Sequence, residues 1–322
     1  MQAMVYSEYG SPDNLRMEAI APPEPGAGEV RIRVAAVSLN ASDIEFLKGR
    51  PLYTRMWGLR RPRFRILGSD VAGTVVALGP DVTRFRVGDA VFGDIMGRWG
   101  GLAEFAVAPV DALTAIPDGM SFSDAAAIPQ ASLVALQALR MGGAVRAGQR
   151  VLINGAGGGA GTFAIQIARA MGAEVTAVDN GAKAPAMRDL GAVRTIDYTR
   201  TNPLRTGARY DRIVDFIASH PVRDYHRALA PGGRYVMVGG DIPHILRQLT
   251  LGTLFSLAGN RRMAILPATP NAGIEDLLAM IAEGRVHPVI GGQYPLADSA
   301  AAMRELIEGR AIGKLVIDIA PS

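Results

Sequence analysis

The sequence predicts an α/β chain, a doubly wound parallel sheet joined to a second, irregular and mostly antiparallel β domain. Three observations lead there. From about residue 150, short apolar runs alternate with helix-length segments, the rhythm of a parallel sheet covered on both faces. Before residue 122, short β-type runs are punctuated by Pro22-Pro23, Pro25-Gly26, Gly79-Pro80, Gly88-Asp89 and Gly100-Gly101, as turns between antiparallel strands require. The length, 322 residues, suffices for two cores.

Taken in order, strands are expected at 30–38, 71–78, 90–92 and 104–108, and Met1-Gln2-Ala3-Met4-Val5-Tyr6 reads as the start of another, not as a signal peptide. A helix over 123–140 follows Pro117-Asp118-Gly119, with Ser121 or Ser123 as its N-cap. Then strand 150–154 leads to helix 159–171, and strand 174–178 to helix 182–190. A short strand at 193–196 precedes strand 212–217 with helix 221–229, strand 233–238 with a helix around 243–258, and strand 262–266 with helix 273–283. The end, 289–294, 298–308 and 314–319, reads as strand, helix, strand returning to the first domain. The expected domains are therefore 1–122 with 267–322, and 123–266.

Composition narrows the function. The apolar fraction is 49% and the charged fraction 20%, ordinary for a globular chain. No apolar run is long enough to span a bilayer; no membrane partner is expected, and cytoplasm is the default. There is no cysteine, which excludes disulfides and thiolate metal sites, and His220, His226, His244 and His287 form no metal-binding spacing. Much of the formal +4 charge lies at 55–65, in Arg55, Arg60, Arg61, Arg63 and Arg65. That loop reads either as an anion-binding segment, for acidic substrate or nucleic acid, or as a solvated loop. The absence of recurrent basic–aromatic interleaving favours the solvated loop and argues against a nucleic-acid partner.

The most informative stretch is Val151-Leu152-Ile153-Asn154-Gly155-Ala156-Gly157-Gly158-Gly159-Ala160-Gly161. An apolar strand runs into a glycine cluster that opens onto a helix, which brings backbone N–H groups and a helix N-terminus to a pyrophosphate. From Ala156 the pattern is A-x-G-x-x-G; Ala156, Gly158, Gly159, Ala160 and Gly161 are the candidate contacts. Eighteen residues beyond Gly161, the next strand ends in Asp179, placed to accept from ribose hydroxyls and to repel a 2′-phosphate. Asp179 thus favours NADH. Lys183 argues for NADPH, as does Tyr198 if it lines the adenine side.

At this point the chain resembles the medium-chain dehydrogenase/reductase superfamily, and within it the zinc-independent quinone oxidoreductase branch. The residues that carry the resemblance are Leu67-Gly68-Ser69-Asp70-Val71-Ala72-Gly73, the run from Thr83 to Gly93, Ala125-Ala126-Ala127-Ile128-Pro129, the glycine cluster, Gly191-Ala192 leading to Ile196-Asp197-Tyr198, and Gly313-Lys314-Leu315-Val316. The resemblance implies a Rossmann domain and a GroES-like catalytic domain, NAD(P)H as cofactor with NADPH the habit of the branch, a small-molecule substrate, and a homodimer formed through the Rossmann domain by an edge strand near 263–266. It adds Gly239 and Gly240 as the backbone approach to the nicotinamide, and Lys314, to the cofactor set. Where zinc-dependent relatives hold the metal, this chain has Asn40 and Ser69, so no zinc is expected. Reduction of an activated C=C bond or a quinone is then the expected reaction. The alternatives are a zinc-independent carbonyl reductase or alcohol dehydrogenase, and a non-catalytic, crystallin-like nucleotide-binding protein.

The resemblance also places Asn40, Ser42, Asp43 and Glu45 at the catalytic end. Asn40 is expected to donate to a developing enolate oxygen. Asp43 is better read as a carboxylate satisfying backbone donors at a helix N-terminus. Ser42 and Glu45 stand where zinc-dependent relatives run a Ser-to-His proton relay, so Glu45 is the candidate proton donor, against the alternative of a solvated helix residue. Asp241 and His244 read as substrate contacts or as caps of the next helix, and Tyr53, Trp57 and Trp99 as residues of the substrate mouth or as packing.

Overall fold

The computed structural model describes residues 1–319, apart from the side chain of Trp57. It divides into two compact units, Met1–Gln130 with the segment from Ile290 onward, and Ala131–Val289.

The second unit is built on a six-stranded parallel sheet in the order Arg194–Asp197, Glu174–Asp179, Arg150–Asn154, Tyr210–Asp215, Leu229–Met237, Arg262–Ile265. By sequence rank this is 3-2-1-4-5-6, the doubly wound order, whose ligand crevice lies at the carboxyl ends where the order reverses. Here the reversal falls between Arg150–Asn154 and Tyr210–Asp215. Val151, Leu152, Ile153, Ile213 and Val214 are wholly buried, and Arg150–Asn154 accordingly reads as an apolar run. The helix Gly159–Ala170 buries Phe163, Ala164, Ile165 and Ile167.

The first unit carries a mostly antiparallel sheet in the order Ile290–Pro295, Lys314–Asp318, Glu29–Ser38, Asp70–Leu78, Ala90–Asp94, Thr114–Ala115, with Phe105–Pro109 also paired to Glu29–Ser38. Only Ile290–Pro295 and Lys314–Asp318 run parallel among these described strands. Ile32, Val34, Val37, Leu67, Val71, Val75 and Val91 form its core with Phe46, Leu47 and Trp99. Gln2–Val5 and Arg16–Ala19 make a separate antiparallel pair.

Three expectations are corrected. The helix expected over 123–140 is two helices, Phe122–Ala127 and Pro129–Arg140, because Pro129 has no N–H with which to continue the ladder. Ser121, not Ser123, caps the first, accepting from the Asp124 N–H at 3.0 Å. The helix expected around 243–258 is broken into Ile242–Arg247, a π turn at Gln248–Gly252, and Thr253–Leu257. There the hydroxyls of Thr250 and Thr253 donate back to the carbonyls of Leu246 and Leu249 at 2.8 and 2.7 Å, a bond that loosens the regular ladder.

The third correction is where the chain returns to the first unit, at Ile290 rather than 267. Gln137 holds 267–289 to the second unit: its Oε1 accepts from the Thr269 N–H at 3.0 Å and its Nε2 donates to the Thr269 carbonyl at 2.9 Å. Gln166 likewise accepts from the N–H of His287 and donates to its carbonyl, both at 3.0 Å. At the other junction, Phe122–Ala127 packs on Glu29–Ser38 and Asp70–Leu78, which extends the first unit to Gln130.

Candidate functional site

In the second unit the glycine cluster follows the strand Arg150–Asn154, as the sequence implies, but its glycines have different reasons. Gly155 turns the chain with φ +83°, in the region that disfavours side chains. A Cβ on Gly161 would sit 2.1 Å from the Gly155 carbonyl oxygen, so Gly161 serves the close approach of helix to strand. A Cβ on Gly157 would strike Lys183 Cδ at 2.5 Å; that space is filled by a side chain of the protein itself. Gly158, the N-cap of the helix, has its nearest neighbour at 3.6 Å and no packing reason to lack a side chain. Open space at Gly158, with the N–H groups of Gly159 and Ala160 starting a 12-residue helix, fits a pyrophosphate. Ala156 is wholly buried and supports the turn.

Asp179 ends its strand and is buried against this turn. One carboxylate oxygen accepts from the Gly157 N–H at 2.9 Å, and the other from the Asn180 N–H at 2.8 Å. Lys183, four residues on and also buried, brings its ammonium to 3.4 Å from Asp179 Oδ1. The two residues that argued for opposite cofactors are therefore one buried ion pair. Tyr198 lies beside them, more than half exposed, its N–H donating to the Asp179 carbonyl at 3.3 Å.

The sequence reading missed Asp215 and Asn154, which meet at the point where the strand order reverses. Asn154 Nδ2 donates to Asp215 Oδ1 at 2.8 Å, and the Tyr235 hydroxyl to Asp215 Oδ2 at 2.9 Å. The N–H groups of Ile217 and Ala218 complete the shell at 3.1 and 2.8 Å. This wholly buried carboxylate fixes the loop that leaves the strand. Gly239 and Gly240 follow the neighbouring strand at the same end; a Cβ on Gly239 would have only the Phe216 carbonyl near it, at 3.7 Å. The nearby Asp241 and His244 are a cap: Asp241 accepts from the His244 N–H at 2.9 Å and from its ring Nδ1 at 2.5 Å.

In the first unit the candidate residues begin on the helix Ala41–Lys48. Asp43 is wholly buried, with one oxygen accepting from the Asn40 N–H at 2.7 Å and the other from the Gly68 N–H at 2.8 Å. It ties the helix start to Gly68, two residues before the strand Asp70–Leu78. Burial pushes its carboxyl up to about 6 against the pull of these two donors. Asn40 is buried as well: Nδ2 donates to Asp70 Oδ2 at 2.9 Å, and Oδ1 accepts from Lys314 Nζ. Lys314 also donates to the Leu39 carbonyl at 3.0 Å and lies 3.6 Å from Asp70 Oδ2. It is sealed inside this unit and is not available to a cofactor, which corrects its expected role; its strand, Lys314–Asp318, buries four consecutive residues. Burial raises Asp70 and lowers Lys314, and each pulls the other back.

Gln130, another residue the sequence did not single out, joins this cluster to its surroundings. Its N–H, free at the start of Pro129–Arg140, lies 3.2 Å from both Asp70 oxygens. Its side chain accepts from Ser42 Oγ at 2.9 Å and donates to Asp94 at 3.4 Å. Ser42 is thus bonded to Gln130 and not directly to Glu45. Glu45 instead accepts a hydrogen bond from the Tyr53 hydroxyl at 2.7 Å. Burial raises the Glu45 carboxyl above its ordinary value while the Tyr53 bond lowers it; Tyr53 is raised by burial and then by Glu45. Trp99 is a core residue, its ring 4.6 Å from that of Phe46. The Trp57 side chain, expected at a substrate mouth, lies outside the described residues.

The donor set does not fit a catalytic zinc. The expected ligand positions hold an amide, Asn40, whose two ends are occupied, and a buried serine, Ser69. A buried ammonium, Lys314, already faces the local carboxylates, and a dication would have to displace or repel it.

Comparison with known proteins places this architecture. Residues 26–118 match the alcohol dehydrogenase GroES-like domain and residues 190–317 match the zinc-binding dehydrogenase family. The chain is 33% identical over 331 residues to a quinone oxidoreductase of Pseudomonas aeruginosa, covering 97% of this chain and 98% of that one. The solved quinone oxidoreductase of Coxiella burnetii superposes with a TM-score of 0.90 at 26% identity, covering 99% of both. A mycobacterial protein solved with NADPH superposes with a TM-score of 0.81 at 26% identity, covering 99% of this chain and 100% of that one. With its GroES-like and Rossmann domains, the chain belongs to the medium-chain dehydrogenase/reductase superfamily, in its quinone oxidoreductase branch.

Proposed function

We propose that this oxidoreductase uses NAD(P)H to reduce an activated C=C bond or a quinone, without a metal. The observation that carries the reading is the Tyr53–Glu45 pair, a phenol bonded at 2.7 Å to a carboxyl group whose pKa is raised by burial. Conjugate reduction needs a proton as well as a hydride. Bound nicotinamide would supply the hydride to the β-carbon, leaving negative charge on the carbonyl oxygen. The Glu45 carboxyl, oriented by the Tyr53 hydroxyl, would give its proton to the α-carbon. Asn40 takes a supporting role, its amide fixed between Asp70 and Lys314.

The cofactor contacts in this reading are the N–H groups after Gly158, Asp179 with Lys183 at the ribose, Tyr198 beside them, and Gly239 and Gly240 at the nicotinamide end. NADH is favoured, because Asp179 is an acceptor that opposes a 2′-phosphate, but the Lys183 ammonium makes that preference modest. The relatives named quinone oxidoreductase support a quinone as the acceptor. A homodimer is proposed through the sheet edge Arg262–Ile265, where pairing would centre beyond Met263, because the Met263 N–H is already bonded to Ser256 Oγ at 2.8 Å. The test follows absorbance at the nicotinamide band with NADH or NADPH and a quinone, an enone or an aldehyde. Oxidation of cofactor by quinone or enone supports the proposal. Oxidation by aldehyde alone supports the carbonyl-reductase alternative, and binding without any oxidation supports the non-catalytic one.

A further inference from the structure

We infer that the segment 46–69 of the first unit is a docking surface for an anionic lipid bilayer. Its charge is one-signed: Lys48, Arg50, Arg55, Arg60, Arg61, Arg63 and Arg65 stand among these residues with no Asp or Glu. Without those seven bases the chain has 27 Lys and Arg against 30 Asp and Glu, a formal −3, so the segment reverses the sign of the whole protein's charge. Two of the seven are engaged. Arg65 pairs with Glu18 at 3.1 Å, and Arg55 lies 4.6 Å over the Tyr9 ring and donates to the Gly49 carbonyl. Arg60, Arg61 and Arg63 are exposed and have no carboxylate partner among the described residues.

The same segment exposes large apolar side chains where they cost most. Leu52 is 67% exposed, Met56 78% and Leu59 76%. These are not the ends of a slack loop. Leu52–Trp57 is a six-residue 3₁₀ helix whose Thr54 is buried and donates to the Pro51 carbonyl at 2.8 Å. The Tyr9 hydroxyl donates to the Gly58 carbonyl at 2.6 Å. Beyond it the chain doubles back so tightly that a Cβ on Gly58 would lie 2.2 Å from the Arg61 carbonyl oxygen, and Pro62 is buried. Leu59, Arg60 and Arg61 therefore sit at the tip of a braced knuckle. Aliphatic groups flanked by unpaired arginines match the interface of an anionic bilayer, where the hydrocarbon takes up the side chains and the headgroups the cations. A nucleic acid would use the arginines but gain little from Leu52, Met56 and Leu59, which offer no stacking face. The contact is peripheral: among the described residues no helix is long and apolar enough to cross a membrane.

The test is flotation of the full chain with vesicles of phosphatidylcholine, alone or with phosphatidylglycerol. Flotation with the anionic vesicles only is expected, and its loss at about 1 M salt, where the Debye length is about 3 Å. The triple variant R60Q/R61Q/R63Q should partition about a hundredfold less, at about fivefold for each cation. The double variant M56S/L59S should lose at least about tenfold in partition while still binding a duplex oligonucleotide or heparin as the parent does. The inference is overturned if the parent does not float, or if the triple variant floats as the parent does. It is overturned in favour of a nucleic acid if the serine variant floats unchanged while the parent binds duplex at the same salt.

Discussion

Replacing Asp179 by serine should break the buried ion pair at the ribose end and reverse or narrow the NADH preference. The pair is separated by 3.4 Å with both side chains about nine-tenths buried. At an effective dielectric of about 20 that attraction is about 5 kcal/mol. Part of it is offset by the desolvation of both groups, so removing the carboxylate should cost about 3–5 kcal/mol, chiefly by stranding the Lys183 ammonium. The Gly157 and Asn180 N–H groups also lose their acceptor, and a serine hydroxyl is too short to serve both. For a unit of about this size, thermal unfolding should fall by roughly 6–20 °C. A 2′-phosphate would then supply the stranded lysine with a partner. The ratio of NADPH to NADH dissociation constants should move toward NADPH by at least about tenfold, or about 1.4 kcal/mol. NADPH should also recover more of the lost melting temperature than NADH does. Titration calorimetry and thermal melts of parent and variant read both quantities. An unchanged cofactor ratio, or a parent that binds NADPH more tightly than NADH, would refute the assignment of Asp179 to the ribose.

Glu45→Gln should lower turnover by about 100-fold. Because a proton donor must be protonated, parent activity should fall as pH rises through the raised Glu45 value, and the variant should lose that limb; a parent-like profile in the variant removes Glu45 from the reaction. Tyr53→Phe should shift the same limb upward, since the lost hydrogen bond is the influence that lowers Glu45, with little change in melting temperature. Lys314→Met should destabilise the first unit by about 3–5 kcal/mol by leaving Asp70 without its cation, measured by urea unfolding, while cofactor affinity stays unchanged; weakened cofactor binding in a folded variant would restore the role first expected of Lys314. Gly161→Ala should give little folded second unit, because its Cβ would meet backbone atoms that cannot move aside, whereas Gly158→Ala should fold normally and bind cofactor poorly.

Much of the second unit was legible because its signals are local. Buried strands such as Arg150–Asn154 read as apolar runs, and the turn at Gly155 to Gly161 must follow one directly. What was not legible depends on partners distant in sequence. Gln130 meets Asp70 across 60 residues, Asp215 meets Asn154 across 61, and Lys314 meets Asn40 across 274. No periodicity carries such pairings, although a charged residue at the edge of an apolar strand, as in Asp70-Val71-Ala72 or Val214-Asp215, is a signal that a buried partner exists. Lys314 was misassigned for that reason: its position in a glycine-flanked motif was visible, and the pocket of carbonyl, amide and carboxylate around its ammonium was not. Gly157 teaches the reverse. A glycine-rich pattern does not tell which glycine faces a ligand and which makes room for a neighbour such as Lys183.

Metal-free reduction of an activated C=C bond or quinone by NAD(P)H can be tested in a single assay on protein dialysed against a strong chelator. NADH or NADPH is mixed with a quinone or an enone, the nicotinamide absorbance is followed, and zinc is then added back. Cofactor oxidation that chelation does not diminish and zinc does not raise is expected. Activity lost on chelation and restored by zinc, or no oxidation of either cofactor by any quinone or enone, would contradict it.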